Sequence, residues 1–525
     1  MSSGKQKILL FFLFSFSIYC SIIIGQSWDE GFHLKQGKIT LDYILSLGRI
    51  DNSFVGREYY APIYWSFQYF LVEIFPSKYQ VEISHLSNLT FSLCTIIGVA
   101  KIGKELFNKQ VGKIIFLILF FYPIFFGHMS FNPKDTILAF SHVWITYLSF
   151  RYLKKQNEKG KITKYLFYLG LLAALATGIQ LIFLASMLPL FLFLFLEIFI
   201  YKKMVNSQFK VKKFLYDLIK AFLFFYIIIV LFWIDTHSNI LTLPFKFIAE
   251  AFTNEFTGFK TGWPYNMLNE NYFYSIEAPK NYFFIYIFYK SPEYILLCYL
   301  LFFIIYLKKN HFFKKEFSYF NYKLLFLFFL IIYPGLALYI NPYPVYDGIR
   351  LFYWSVPYLC IIPGITIYYL IKNINYFSSK VYFAIILPLI ILLLYNFITI
   401  TPYQYTYLNI FSGSSKDKFR KFENDYWGAS ILELINKTKF NPEDTIKISV
   451  CGVSSKIAER YFKKKGNTNI VFSHPKESEF IIMTNRTEYN FKTKKISNCF
   501  DIYEGKDILQ VKRNGLLLST IRKIN

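Results

Sequence analysis

Charged residues are scarce in this sequence. Asp, Glu, Lys and Arg make up 17% of the 525 residues, whereas 54% are hydrophobic and 22% are aromatic. Soluble domains average about a quarter charged residues. A water-soluble fold could not bury runs of Phe, Ile, Leu and Tyr of this length. The composition therefore predicts a polytopic α-helical membrane protein.

Acidic residues are scarcer than basic ones, and this imbalance has two interpretations. The chain has 58 Lys and Arg against 33 Asp and Glu, a net charge of +25. Such a balance is typical of nucleic-acid binding. It is equally typical of membrane proteins that concentrate Lys and Arg in cytoplasmic loops. The distribution of charge among the loops decides between the two.

Cysteine motifs for metal binding are also missing. No two of the six cysteines have a metal-binding spacing, and four of them lie in apolar runs. Cys451 and Cys499 share the polar C-terminal part and are the candidate disulfide pair. No clear small-x-small cleavage site follows the first apolar run, so we interpret that run as a retained membrane span.

Apolar runs recur throughout the first 401 residues, which we interpret as the transmembrane domain. A span needs about 20 mostly apolar residues. The run 62–75 is too short and carries Glu73, which favours an interfacial or re-entrant helix. The remaining runs predict about eleven transmembrane helices, at 8–25, 84–101, 112–128, 135–150, 164–178, 180–201, 214–234, 282–307, 322–340, 351–371 and 380–400.

Lys and Arg alternate between the predicted loops. With the N-terminus in the cytoplasm, the inner loops carry clusters of basic residues, except the last, where Lys372 and Lys380 give a weaker signal. The short outer loops hold few, such as Lys134 and Arg350. The positive-inside rule explains this pattern. It accounts for much of the net charge and predicts no nucleic-acid partner. The outward-facing parts are then loops 26–83 and 235–281 and the chain from about residue 402.

Residues 402–525 differ from the transmembrane domain. An aromatic, amphipathic stretch around 402–428 predicts a linker lying on the membrane. Strand-like runs at 445–450, 469–472 and 480–483 alternate with a helix-like run at 455–465, and 508–521 has the pattern of a hairpin. These runs predict a small extracytoplasmic α/β domain. It has no glycine-rich phosphate loop, so no nucleotide is assigned to it.

Two adjacent carboxylates, Asp29 and Glu30, directly follow the first predicted span. A charge inside hydrocarbon costs roughly 2.5–3.5 kcal/mol on insertion scales, and a pair at the boundary avoids most of that cost. Such a carboxylate can accept the proton of an acceptor hydroxyl during sugar transfer. His33, one turn further on, can hydrogen-bond to either carboxylate. The alternative is that these residues only mark the membrane boundary.

Four polar side chains lie close together on the same outer face, between two predicted spans: His128, Asn132, Lys134 and Asp135. Pro133 disfavours helix at Asn132 and can start one, which places Asp135 in the first turn of the next span. A helix start offers free N–H groups and partial positive charge to an anion. The density of functional groups favours a site over a simple polar hairpin.

Arg350 is the lone arginine of a long apolar stretch and lies at the outer end of a predicted span. Its guanidinium can bind a phosphate through two hydrogen bonds. Asp347 beside it, and Arg57 in the first outer loop, are further substrate-binding candidates. Trp263 in loop 235–281 can stack on a sugar or lipid face, or it can be a packed interfacial anchor.

Several stretches resemble, in one order along nearly the whole chain, the bacterial relatives of dolichyl-phosphate-mannose–protein mannosyltransferases. These enzymes belong to the C-type membrane glycosyltransferases. The matching stretches are "WDEGFH", "FGHMSFNPKDTILAF", "GWPYNML", "YDGIRLFYWSVP", "PYQYTYLNIFSG", "FENDYWGAS", "FIIMTNR" and "ILQVKRNGLLLSTIRKI".

The resemblance implies a C-type glycosyltransferase fold and a polyprenyl-phosphate-linked sugar donor, with chemistry on the non-cytoplasmic face. It also implies a base in the first outer loop, which maps onto Asp29 or Glu30, and we favour Asp29. The second acidic motif maps onto Asp135. The assignment of a phosphate-binding cation to Arg350 comes from its position alone. Loop 235–281 is too short for the sugar-binding domain of the best-known protein mannosyltransferases.

The sequence leaves several partners open. The acceptor can be a lipid, a glycan or a protein, and the expected location is a bacterial inner membrane. Asp29, Glu30 and Asp135 could hold a divalent cation through oxygen ligands, although Arg and Lys alone can handle a lipid monophosphate. The alternative function is a transporter or flippase of a polyprenyl-linked lipid, which would place its polar residues near the bilayer midplane.

Overall fold

The chain is an integral membrane protein built mainly of helices. The computed structural model describes residues 3–50, 60–158, 160–252, 262–373, 379–414, 418–441 and 443–524. Lipid offers no hydrogen bonds to the backbone. A segment can therefore cross the bilayer only if its own backbone N–H and C=O groups are hydrogen-bonded to one another, as in a helix. Among the described residues, seven helices are long and apolar enough to do so: Gly4–Ile23, Ser77–Leu106, Ile162–Ile179, Val211–Phe232, Glu293–Glu316, Phe320–Ile340 and Arg350–Lys372.

The seven apolar helices all lie between Gly4 and Lys372, and we refer to the described residues up to 401 as the transmembrane part. Its helices are α1 (Ser3–Ile23), α2 (Glu30–Leu45), α3 (Ile63–Glu73), α4 (Gln80–Leu106), α5 (Lys109–Phe120), α6 (Pro123–His128), α7 (Asp135–Lys155), α8 (Ile162–Ile179), α9 (Phe183–Ser186), α10 (Leu188–Phe195), α11 (Val211–Phe232), α12 (Leu243–Phe252), α13 (Tyr282–Lys290), α14 (Glu293–Glu316), α15 (Phe320–Ile340), α16 (Val356–Leu359), α17 (Ile361–Lys372) and α18 (Ser379–Thr399).

The predicted count of eleven spans is not confirmed, because several predicted spans are interrupted. The run 112–128 divides into α5 and α6 at Pro123, and 282–307 divides into α13 and α14 at Pro292. Proline cannot donate the backbone hydrogen bond that a continuing helix requires. The run 180–201 forms α9, α10 and a π-helical turn, Leu196–Tyr201.

Helix α7 lies between neighbouring helices of the transmembrane part and packs against both α4 and α8. Close approach of α4 and α7 depends on Gly98, where a Cβ would lie 2.7 Å from the Val143 side chain. Helix α7 begins at Asp135, shortly after the end of α6, and Asn88 of α4 donates to the Met129 and Asn132 carbonyls of the turn between α6 and α7. This arrangement brings several polar helix ends to one level.

The two long loops that the sequence predicts to face outward carry structure of their own. The first folds into α2 and α3, and a Cβ at Gly37 of α2 would collide with the backbone of Trp65 in α3. The second contains α12 and an antiparallel hairpin, β1 (Tyr265–Leu268) and β2 (Asn271–Tyr274). The short predicted helix at 62–75 is thus present as α3.

The C-terminal part contains the small α/β domain that the sequence predicts. Its strands are β3 (Ile446–Cys451), β4 (Ile470–Phe472), β5 (Phe480–Thr484), β6 (Thr487–Asn490), β7 (Lys495–Asn498), β8 (Gly505–Arg513) and β9 (Leu516–Ile524). Five of them form one sheet of order β4-β3-β5-β9-β8, and β6 pairs with β7 separately. The helices are α19 (Lys418–Lys421), α20 (Ile431–Lys437), α21 (Ser455–Lys465) and α22 (Cys499–Ile502).

Local sequence explains the topology of this sheet. Strand β3 is parallel to β4 and β5, and amphipathic α21 makes the crossover from β3 to β4. The β8–β9 hairpin turns at Asn514 and Gly515, whose φ angles are 47° and 78°. An Asn-Gly pair with two positive φ angles is the preferred two-residue hairpin turn. Cys451 at the end of β3 forms a disulfide with Cys499 at the start of α22.

The sequence predicts that the linker lies on the membrane, but most of it is buried in protein. Residues 422–431 are buried between the transmembrane part and the C-terminal domain. Ile24 and Phe131 of the transmembrane part share one hydrophobic core with Tyr405, Trp427 and strand residues of the C-terminal domain. The aromatic residues that suggest a membrane-surface segment therefore pack at an interdomain interface.

Candidate active site

Asp29 lies at the corner between α1 and α2. It is the residue before the first turn of α2, and its backbone carbonyl accepts a hydrogen bond from the His33 N–H at 3.0 Å. Its carboxylate lies 3.9 Å from Nη2 of Arg350, and 42% of the side chain is exposed. The Asp29 carboxylate is therefore partly accessible to a ligand while it lies beside a buried cation.

Glu30 faces a different environment from Asp29. It is buried, and its Oε1 accepts a hydrogen bond from the Ser27 N–H at 2.7 Å. Its Oε2 lies 3.1 Å from Nε2 of His85 on α4, and the other ring nitrogen of His85 lies 3.0 Å from the Ser21 carbonyl. These contacts tie the α1–α2 corner to α4 and give Glu30 a structural position.

His33 lies one turn after Asp29, with its ring stacked on Trp65 at 4.1 Å and an interplanar angle of 9°. The imidazole is one of the neighbouring groups that lower the pKa of Asp29. A cavity of about 210 Å³ lies against α2 and does not include His33. It is lined by Gln26, Glu30, Gly31, Leu34, Lys35, Lys38, Tyr69, Gln80, Val81 and Arg460.

Asn132 organises the turn that leads into α7. Its Oδ1 accepts hydrogen bonds from the backbone N–H groups of Lys134 and Asp135, at 3.3 and 3.0 Å. Its Nδ2 donates to Oδ2 of Asp135 at 3.0 Å. Asn88 on α4 holds the same turn by donating to the carbonyls of Met129 and Asn132, at 3.0 and 3.1 Å. The Asp135 carboxylate is thereby fixed at the start of α7.

Arg350 lies at the centre of three carboxylates. Its guanidinium is 2.7 Å from Asp347, 3.3 Å from Asp135 and 3.9 Å from Asp29, and only 3% of the side chain is exposed. The ring of Trp427 covers the guanidinium carbon at 4.7 Å. A buried charge needs such partners to offset the loss of water. The three sequence-predicted acids Asp29, Asp135 and Asp347 thus converge on one cation.

Asp347 joins this cluster to the C-terminal domain. Its φ of +55° and that of Gly348, +69°, make the tight turn that precedes Arg350. One carboxylate oxygen accepts from Arg350, and the other lies 3.2 Å from Nη2 of Arg486. The sequence assigns no role to Arg486, although it lies within one of the matching stretches.

Lys134 is the cation of the site that is most accessible. Its Nζ lies 3.4 Å from the hydroxyl of Tyr60, and its side chain is partly exposed. Within the described residues, no carboxylate oxygen lies within 4.0 Å of this ammonium. Its positive charge is therefore more available to a ligand than that of Arg350, which has three carboxylate partners.

His128 is buried and held by neighbours. Its Nε2 lies 3.1 Å from the hydroxyl of Tyr426, and its Nδ1 lies 3.3 Å from Nδ2 of Asn132. The ring also stacks on Phe131 at 5.7 Å. His128 therefore connects the 127–135 turn to Tyr426 of the linker.

Trp263 lies at the border of the two domains. Its Nε1 donates to the carbonyl of Thr487 at 3.0 Å, and its ring lies 6.0 Å from that of Trp28. The guanidinium of Arg486 packs on the Trp263 ring at 4.0 Å. Arg57, the remaining sequence-predicted site residue, lies outside the described residues.

Charge around the site shifts the ionisation of Asp29. Partial burial would raise the pKa of Asp29, but the surrounding positive charges, with Arg350 foremost, hold the pKa below its usual value. Asp29 is therefore ionised at neutral pH and can accept a proton.

In the linker, burial raises the pKa of Glu423 to about 7.

The acids that the sequence offers to a divalent cation do not converge on an empty space. Glu30 is turned toward His85, and the guanidinium of Arg350 lies between Asp29 and Asp135. Among the described residues, the only set of three metal-ligating side chains within reach of one another contains the two disulfide cysteines and Glu488. The donor set of the site thus fits an Arg-centred cluster better than a metal.

Comparisons with known proteins bear on the fold. No family model and no curated protein sequence matches the chain. The crystal structure of ArnT from Cupriavidus metallidurans in the apo state is similar, with a TM-score of 0.50 and 11% identity, over 99% of this chain and 98% of that one. ArnT from the same organism bound to undecaprenyl phosphate has a TM-score of 0.47 and 11% identity, over the same shares of the two chains.

The archaeal oligosaccharyltransferase AglB from Archaeoglobus fulgidus, in complex with an inhibitory peptide and a dolichol-phosphate, matches less closely. Its TM-score is 0.44 at 11% identity, over 95% of this chain and 75% of that one. The likeness to apo ArnT shows a shared fold along nearly the whole chain. The fold is thus that of the C-type membrane glycosyltransferases, as the sequence resemblance implies.

Proposed function

We propose that this chain is an integral-membrane glycosyltransferase that transfers a sugar from a polyprenyl-phosphate-linked donor to an acceptor on the non-cytoplasmic face. The observation that carries the proposal is the partly exposed Asp29 carboxylate, held 3.9 Å from the buried Arg350 guanidinium at the outer end of the spans. The shared fold with ArnT supports the same class of enzyme.

Asp29 is the base in this mechanism. The acceptor hydroxyl attacks the anomeric carbon, and its proton passes to Asp29 as the new carbon–oxygen bond forms. The bond between the anomeric carbon and the phosphate oxygen breaks at the same time, and the lipid phosphate leaves with the bonding electrons. Arg350 favours the ionised form of Asp29, which makes the carboxylate available before the acceptor arrives.

Lys134 is better placed than Arg350 to bind the donor phosphate. Arg350 is surrounded by three carboxylates and is almost fully buried. Lys134 is partly exposed at the start of α7, where its ammonium lies beside the hydroxyl and ring of Tyr60. An ammonium in this position can meet the charge that develops on the leaving phosphate. Arg350 then sets the positions of the surrounding acids, with Asp135 among them.

The position of the site supports the non-cytoplasmic face and opposes transport. Basic clusters mark the opposite loops as cytoplasmic. The Cys451–Cys499 disulfide is typical of an oxidising compartment outside the cytoplasm. We therefore place the C-terminal domain outside a bacterial inner membrane. A flippase would need ionisable groups near the bilayer midplane, whereas Asp29, Asp135 and Arg350 all lie at helix ends.

The direct test is reconstitution with a defined donor. Purified protein in liposomes is mixed with polyprenyl-phosphate hexose donors, and sugar transfer is followed by mass spectrometry. Glycans and glycolipids from cells with and without the protein identify the acceptor, whether lipid, glycan or protein. A wild-type protein that changes no glycan in cells and transfers no sugar in liposomes would refute the proposal.

A further inference from the structure

Arg486 extends from the C-terminal domain into the candidate active site. It lies in the turn between β5 and β6, where its carbonyl accepts a hydrogen bond from the Cys499 N–H at 2.8 Å. Cys499 is in turn joined to Cys451 by the disulfide. Thr487, the next residue, donates from its N–H to Glu423 of the linker at 2.7 Å. The turn that carries Arg486 is thus held on both sides.

The side chain of Arg486 is enclosed by protein. Nη2 lies 3.2 Å from Oδ1 of Asp347, and Nη1 donates to the carbonyl of Tyr426. The guanidinium carbon lies 4.0 Å from the centre of the Trp263 ring and 5.3 Å from the centre of the Trp28 ring. Only 5% of the side chain is exposed. A substrate could not reach this guanidinium without displacing these groups.

The contacts of Asp347 connect Arg486 to the proposed base. Each carboxylate oxygen of Asp347 faces a different guanidinium, Oδ1 that of Arg486 and Oδ2 that of Arg350. Arg350 in turn lies 3.9 Å from Asp29. The loss of Arg486 would free one oxygen of Asp347, and the carboxylate could then rotate about its side chain. Arg350 would then lose its shortest carboxylate contact, one of those that fix its orientation beside Asp29.

We propose that Arg486 is a positioning residue of the active site, supplied by the C-terminal domain, which fixes Asp347 and through it Arg350 against Asp29. This inference rests on the proposed glycosyltransferase function. It assigns the C-terminal domain a part in the chemistry of the transmembrane site. The small domain is then not an independent module that only binds a partner.

The charge of Arg486 also acts on the base. Burial raises the pKa of Asp29, and the positive charges around it, with Arg350 foremost and Arg486 among them, outweigh that effect. Loss of the Arg486 charge should therefore raise the pKa of Asp29. The charged or titratable groups that act on Asp29 or lie beside it are His33, Lys134, Asp135, Arg350 and Arg486.

The test compares Arg486→Gln and Arg486→Lys with wild-type protein in liposomes. A displacement of about 1 Å in a catalytic group can cost on the order of 100-fold in rate, so Arg486→Gln should lower kcat by about that factor and leave the KM for the donor unchanged. The acid limb of its pH–rate profile should move to higher pH. Arg486→Lys keeps the charge and should retain the position of the acid limb while kcat stays low.

Two further variants control for stability. Arg420→Gln removes an exposed arginine of the same domain, which pairs with Asp501 at 3.3 Å, and should match wild type. Asp347→Asn keeps Arg486 and breaks the same connection, so it should lower kcat as Arg486→Gln does, with no further loss in the double variant. This variant tests the inference even where Arg486→Gln fails to fold.

Two results would overturn the role of Arg486. One is a wild-type kcat and pH profile in folded Arg486→Gln, and the other is a rise in the donor KM with kcat unchanged, which would make Arg486 a substrate-binding residue. Both results presuppose an active wild-type enzyme, so they leave the proposed function intact. A wild-type protein that transfers no sugar would refute the proposed function and this inference together.

Discussion

Asp29 and Arg350 are 3.9 Å apart but differ sharply in exposure, since the Asp29 side chain is 42% exposed and that of Arg350 is 3% exposed. The cation is thus enclosed by protein, and the carboxylate faces outward. A buried positive charge favours the ionised carboxylate without blocking its open side. This asymmetry is what a base needs when its substrate arrives from the membrane surface.

We expect Asp29→Asn to abolish sugar transfer. An amide cannot take the proton of the acceptor hydroxyl, and the loss of a general base typically costs 10²–10⁴-fold in rate, so a fall of about that size is expected. Transfer by purified protein in liposomes measures the effect. Size-exclusion profiles and thermal melting show whether the variant remains folded.

Glu30→Gln is the matched control for that substitution. Glu30 is buried against Ser27 and His85, so the variant should retain most of its transfer activity and show a lower melting temperature. Active Asp29→Asn together with inactive, folded Glu30→Gln would reverse the assignment of the base.

Lys134→Gln should weaken donor binding. A hydrogen bond to a charged group contributes about 1.5–3 kcal/mol, so the Kd for a polyprenyl-phosphate sugar should rise by roughly tenfold or more. Binding of a labelled donor to protein in nanodiscs gives the Kd directly. Lys246→Gln removes another outer-loop lysine, 65% exposed and paired with Glu250, and should leave the Kd unchanged. Equal affinities for wild type and Lys134→Gln would exclude Lys134 from the phosphate site.

Stability should depend on pH through Glu423. Burial, together with the negative charge of Asp347, raises the pKa of Glu423 from 4.5 to about 7. The charge of Arg486 and the hydrogen bonds from Thr487 lower this pKa but are outweighed. The protonated form is thus favoured in the folded state, so the stabilisation is present below pH 4.5 and is lost as the pH rises through 7. The full loss corresponds to about 3 kcal/mol.

Glu423→Gln should remove this dependence, because the amide is neutral at every pH. Melting temperatures of the variant and wild type, measured between pH 5 and 8 in one detergent, should converge at low pH, with the variant more stable at pH 8. The exposed Glu477→Gln serves as the control. A wild-type melting temperature that rises between pH 5 and 8 while that of Glu423→Gln does not would contradict the expected sign.

The disulfide should be detectable by thiol labelling. Four described cysteines are free and two are joined, so denatured protein should take up four maleimides before reduction and six after it. Cys499→Ser should take up five and lose roughly 2–4 kcal/mol of stability, the range typical of a native disulfide. Six labels without reduction, in protein taken from intact membranes, would place the C-terminal domain in a reducing compartment.

Much of the fold could be predicted from the sequence. Apolar runs and loop charges indicate a multi-pass membrane protein, and short strand-like runs indicate a small α/β domain. The exact helix pattern could not be obtained in this way, because Pro123 breaks a helix inside an apolar run, and Pro292 with its charged neighbours Lys290 and Glu293 breaks one inside a run that is apolar on average. Apolar composition measures preference for lipid, whereas helix continuity depends on individual backbone hydrogen bonds.

The site was predictable in part. Asp29, Asp135, Asp347 and Arg350 stand out as polar residues at the ends of apolar runs, and the structure brings all four together. Arg486 gives no such signal, since it lies in a domain where charged residues are common. Its contact with Asp347 depends on how two domains pack, which local patterns do not encode.

The packing of Gly127 against the linker has a consequence for biosynthesis. A methyl group at Gly127 would collide with the backbone of Tyr405, so α6 must leave room for a segment that the ribosome makes much later. The β5–β6 turn, which brings Arg486 to Asp347, is made later still, so the cluster around Arg350 is completed only when the last part of the chain has been synthesised. Under the proposed function, a nascent chain would therefore lack a complete site until the β5–β6 turn has packed against the transmembrane part.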